Sequence, residues 1–62
     1  MTLYKFNILF KDDEDFQQRF VLARTEEQAY KKIEEYRKSL VKLHFADFDY
    51  FYIGVEIENI IT

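Results

Sequence analysis

The sequence predicts an α+β domain of order ββαβ: a three-stranded, mainly antiparallel sheet in the order 2-1-3, with one amphipathic helix packed on one face. Three observations predict it. Residues 2–10, 16–23 and 50–61 alternate with period two, as half-buried strands do. Residues 25–43 carry a single apolar stripe at helical spacing. The joining segments, KDDED and HFADFD, are short and acidic.

Each element follows from its residues. In TLYKFNILF, Tyr4, Phe6, Ile8 and Phe10 point one way and Leu3, Lys5, Asn7 and Leu9 the other. KDDED cannot pack and suits a hairpin loop. In FQQRFVLA, Phe16, Phe20 and Leu22 share a side. Setting Phe10 opposite Phe16 pairs Ile8 with Gln18, Phe6 with Phe20 and Tyr4 with Leu22, so the apolar faces coincide. Thr25 and Gln28 form a capping-box pattern that starts the helix at Thr25. Ala29, Ile33, Tyr36, Leu40 and Leu43 then make the stripe. Glu26 and Glu27 in the first turn, and Lys38 and Lys42 near the last, suit the helix dipole. Residues 44–49 read as a loop. In the last strand Phe51, Ile53, Val55 and Ile57 alternate with Tyr50, Tyr52, Glu56 and Glu58. The crossover from the second strand through the helix to the third is right-handed by rule, and strand three pairs antiparallel with strand one. The expected core is Tyr4, Phe6, Ile8, Phe20, Leu22, Ala29, Ile33, Tyr36, Leu40, Phe51, Ile53, Val55 and Ile57.

Composition narrows the function. Sixty-two residues make one domain, 1–62. With no Cys and one His there is no disulfide framework, thiol nucleophile or multi-histidine metal centre, and neither a metal nor a cofactor is expected. No apolar run approaches a membrane span and the N-terminus is not a signal peptide, so a soluble, cytoplasmic protein is expected. One sheet layer and one helix leave little volume for a catalytic pocket, so the chain reads as a non-enzyme. A domain this small buries a modest core, which favours dense aromatic packing and self-association.

One helix covers one face of the sheet, so function is sought on the other. That face is expected to hold Leu3, Leu9, Val21, Tyr50 and Tyr52, an apolar set that suits a homodimer or another protein. The alternative is single-stranded nucleic acid, with Tyr50 and Tyr52 stacking bases while Lys5 and Arg19 hold phosphates. A net charge of −3 opposes it. A second alternative is an acidic inhibitor of a basic partner. Asp12, Asp13, Glu14 and Asp15 are expected to share one end of the domain with Asp47 and Asp49. Without a partner such acids simply keep the surface wet, and their spacing is not that of a calcium loop. His44, at the helix end, suits a dipole-capping position. Gln17, Gln18 and Arg19 protect the edge of strand two, which leaves strand three as the better pairing edge.

Gln18-Arg19-Phe20, Ala23, Glu26-Glu27 and Ala29, followed by the strand Ile53-x-Val55-x-Ile57, resemble archaeal ribosomal protein LX. The resemblance implies a ββαβ fold and, for that basic family, binding to ribosomal RNA. This chain is acidic and lacks the family's basic segment before the last strand, so what carries over is architecture. In composition the chain also looks like the small accessory proteins of bacteriophages and their low-GC hosts.

Overall fold

In the computed structural model, which describes residues 1–61, the elements are β1 (Thr2–Phe10), β2 (Gln17–Ala23), α1 (Glu26–His44) and β3 (Phe48–Ile57). Both outer strands pair antiparallel with β1, giving the order β2-β1-β3. The expected ββαβ architecture is therefore observed. No helix among the described residues is long and apolar enough to cross a membrane.

The helix begins where its cap dictates. Thr25 is extended, and its hydroxyl accepts the N–H of Gln28 at 3.2 Å. The Gln28 side chain returns to the N–H of Arg24, one residue before the usual capping-box partner. At the other end, Phe45 takes a left-handed conformation and the N–H of Ala46 reaches the carbonyl of Leu40 at 3.3 Å. The expected loop of residues 44–49 shrinks to Phe45–Asp47, because α1 includes His44 and β3 begins at Phe48.

The buried core is Tyr4, Phe6, Ile8, Ala23, Ala29, Ile33 and Phe48. From β1 it takes the even residues, as the alternation demands. From the outer strands it takes the opposite set to the one expected. Tyr4 faces Val21 and Ile8 faces Gln17, one residue out of the register that the apolar pattern favours. A one-residue slip turns every side chain of a strand over. Val21 and Ala23 therefore face the helix, while Phe20 and Leu22 lie on the uncovered face. On β3, Phe48, Tyr50 and Tyr52 oppose Phe10, Ile8 and Phe6 and join the core, and Phe51 faces away opposite Asn7. Phe20, Phe51, Ile53, Val55 and Ile57, all expected inside, are exposed. So is Tyr36, since the helix buries only Ala29 and Ile33 of its stripe completely.

Two irregularities interrupt the β1–β3 ladder, one between Lys5 and Phe6 and one between Leu3 and Tyr4. The first leaves Ile53 as an extra residue beside Gly54, the only glycine. Gly54 has φ 157°, a value that L side chains rarely adopt, with open space where a Cβ would stand. Its role is conformational.

Aromatic rings fill the core. Phe6 lies edge-on to Tyr30 at 5.4 Å between centroids and packs on Tyr52 at 5.5 Å. Phe48 bridges Phe10 at 5.3 Å and Tyr36 at 5.7 Å. Phe48 packs the start of β3 against the middle of the helix, and its loss leaves a cavity. Phe48→Ala is expected to lower stability by about 3–5 kcal/mol. Thr25→Ala, which removes only the cap, is expected to cost about 1 kcal/mol. Urea titration of both variants checks the ratio.

Candidate functional site: the open face of the sheet

The uncovered face is built by strand alternation. β1 contributes Leu3, Lys5, Asn7 and Leu9. β2 contributes Gln18 opposite Asn7, Phe20 opposite Lys5 and Leu22 opposite Leu3. β3 contributes Asp49 opposite Leu9, Phe51 opposite Asn7 and Ile57 opposite Leu3, with Ile53 at the bulge. Phe16, just before β2, reaches across β1 and meets Phe51 edge-on, with ring centroids 5.8 Å apart. The face is thus mainly apolar, with Asn7 and Gln18 side by side within it, Lys5 and Glu56 paired at 3.8 Å, and Asp49 at its end beside Leu9. Phe20 and Phe51 remain 49% and 51% exposed, and no segment among the described residues covers them.

Of the five residues expected on this face, Leu3 and Leu9 are there. Val21, Tyr50 and Tyr52 are not: the register turns them toward the helix, where they pack against the core. The nucleic-acid set is dispersed in the same way. Lys5 is on the open face beside Glu56, but Arg19 opposes Phe6 on the helix side and bonds to Gln17 and the carbonyl of Gln18. Tyr50, Tyr52, Lys5 and Arg19 therefore do not share a surface on which a base could stack while its phosphate is held. Phe16, Phe20, Leu22, Phe51, Ile53 and Ile57 are the apolar face residues that sequence reasoning missed. The signal was the doubly apolar alternation of β3, in which neither set of side chains is polar enough to be solvent-facing by default.

Tyr50 is fixed on the helix side by a polar clasp. Its hydroxyl donates to Glu34 at 2.6 Å. Arg37 donates to both Glu34 oxygens and, at 3.0 Å, to Asp47. Asp47 also accepts the N–H of Phe48 at 2.8 Å and lies 3.8 Å from the Lys11 ammonium. These groups line a shallow depression of about 530 Å³. The hydrogen bonds from Arg37 and then Tyr50 lower the Glu34 carboxyl from 4.5 to about 2. The bond from Arg37 likewise lowers Asp47. The bond to Glu34 raises both the Arg37 guanidinium and the Tyr50 hydroxyl. Every charge in the clasp has a partner, and Glu34 holds no proton to give near neutral pH. The arrangement ties α1 to β3.

At the same end the two loops meet as expected, with the Lys11 N–H donating to the Asp47 carbonyl at 3.1 Å. They do not pool six free carboxylates. Asp47 is held by Arg37 and Lys11, and Asp49 lies on the open face. Asp12, Asp13, Glu14 and Asp15 remain an exposed acidic tip. No group of three metal-ligating side chains comes together among the described residues. His44 is the exposed last residue of α1, and Phe45 takes the cap position.

Along β2, the Lys32 ammonium donates to the Leu22 carbonyl. The β3 edge, expected to be the better pairing edge, belongs to the strand that both ladder irregularities distort, and bulged edges pair poorly. Compared with protein-family models, curated proteins and solved structures, the chain matches none.

The clasp sets an acid limit on stability. Glu34 is lowered on folding, so the folded chain binds fewer protons than the unfolded one. Its stabilisation is complete above the unfolded value of 4.5 and is lost as pH falls toward about 2. Tyr50 has the opposite sign: its contribution is present below its ordinary value of 10.0 and is lost as pH rises through the raised folded value. The urea midpoint should therefore fall steeply across the acid window in the wild type. Glu34→Gln should start lower and show a shallower fall.

Proposed function

We propose that the protein is a small non-enzymatic interaction module whose working surface is the open face of the sheet. The occupant is a protein surface that is itself mainly apolar. One observation carries this reading: Phe16, Phe20, Phe51, Ile53 and Ile57 stand half-exposed on one continuous face, although burying each would be favourable by roughly 1–2 kcal/mol. Exposed apolar residues scattered singly are ordinary on any protein, whereas a contiguous field spanning three strands marks a contact surface. The clasp around Glu34 serves that surface indirectly. By holding Tyr50 toward the helix it keeps Phe51 turned outward.

The reading is tested by placing a photo-crosslinking phenylalanine analogue at position 20 or 51 in the chain's own host cell. Position 35, an exposed helix residue, is the control. Discrete protein adducts are expected from 20 and 51, not from 35, and Leu9→Lys should abolish them. If the face positions react no more than position 35, the face is not a contact surface and the reading falls.

A further inference from the structure

Resting on that reading, we infer that the surface covering the open face is a second copy of this chain, packed sheet against sheet with its acidic tip at the opposite end. Three observations lead there. The first is size. Three strands about 4.8 Å apart, each rising about 3.3 Å per residue, present a face of roughly 14 by 30 Å. Side-chain relief brings its accessible area toward the about 800 Å² per partner of a standard stable interface. The second is chemistry. The face is mainly aliphatic and Phe-rich; Lys5 and Glu56 neutralise each other at 3.8 Å, Asn7 and Gln18 sit side by side, and Asp49 lies at the end next to the acidic tip. Such a surface is complementary to itself, as a two-fold contact requires. The third is the core. Among the described residues only seven are buried in the single chain, fewer than the exposed large hydrophobics. Small domains commonly complete an insufficient core by association, and stacking two sheets about 10 Å apart would bury both apolar fields in one layer.

Charge then selects the orientation. Asp12, Asp13, Glu14 and Asp15 crowd one end of the molecule, and each copy carries a net charge of −3. Turning one copy end for end separates the two tips by about the molecular length, 35 Å along the longest axis. The alternative, with like ends together, sets eight carboxylates at one end of the assembly, and their mutual repulsion disfavours it.

The test uses the purified chain. Light scattering across a dilution series should give a dimer mass that dissociates only at low concentration. Phe51→Lys should weaken association by a factor on the order of 100 or more, because a buried ammonium replaces a buried ring. Leu9→Lys serves as the second face variant if the first fails to fold by circular dichroism. Glu35→Lys, on the outer side of the helix, should leave the dimer unchanged. The chain has no cysteine, so Glu14→Cys carries a unique spin label. Its distance to the copy's label should be at least the molecular length. A short label distance overturns the end-for-end arrangement. A monomer at every concentration, with crosslinks from position 20 to some other protein, overturns the second copy and leaves the open-face reading standing. A dimer indifferent to Phe51→Lys and Leu9→Lys overturns both.

Discussion

Phe6 sits at the centre of the middle strand with none of its surface exposed, touching Tyr30 from the helix and Tyr50 and Tyr52 from β3. Because β1 pairs with both outer strands, the side to which Phe6 points defines inside and outside for the whole sheet. Each outer strand then has one binary choice, made by its register against β1. β2 makes it through the loop after Phe10, which closes with the Asp13 N–H on the Phe10 carbonyl at 3.0 Å. β3 makes it through the clasp that draws Tyr50 to Glu34. A loop closure and a helix–strand clasp, both at one end of the domain, thus decide the chemistry of a face that runs its whole length.

The choice on β3 has a physical logic. Tyr50 and Tyr52 carry hydroxyls that need partners or water at the margin of the core. Under the helix, Tyr50 finds Glu34, and the ring remains available to Phe6 and Phe48. Burial raises the Tyr52 hydroxyl above its ordinary value, which marks how far that ring is drawn out of water. Phe51 and Ile53 have no polar tip to satisfy and lose nothing in hydrogen bonding by standing outside. Seen this way, the apolar outer face follows from a core that is rich in tyrosine.

The ββαβ order, the strand order and the start of α1 were legible in the sequence because each rests on a local rule: period-two alternation, loop length, a Thr cap. The β1 faces were legible too, since Lys5 and Asn7 oppose aromatic neighbours. The faces of β2 and β3 were not. In FQQRFVLA, both Phe20 with Leu22 and Val21 with Ala23 make an acceptable buried pair, and only the loop geometry chooses. In YFYIGVEI, both alternating sets are apolar, and the choice depends on a contact sixteen residues away in sequence, between Tyr50 and Glu34. Matching the largest number of apolar residues to the helix therefore selects the wrong sides. The location of the candidate site, a face with no helix over it, followed from counting helices. Its residues required the register. Ala23, small where the chain turns tightly into the helix, and Gly54, the single glycine in a β-branched strand, were the marks of the true arrangement.

The bulge at Gly54 also bears on fibril formation. Residues 50–57, YFYIGVEI, have high β propensity, one charge and no proline, the composition of a segment that stacks into cross-β fibrils. In the folded chain the bulge kinks this strand, so its backbone does not present the straight ladder on which a fibril would grow. The lone glycine thus gives this strand a native backbone shape unlike the straight, stacked strands of cross-β, in the segment whose composition most suits them.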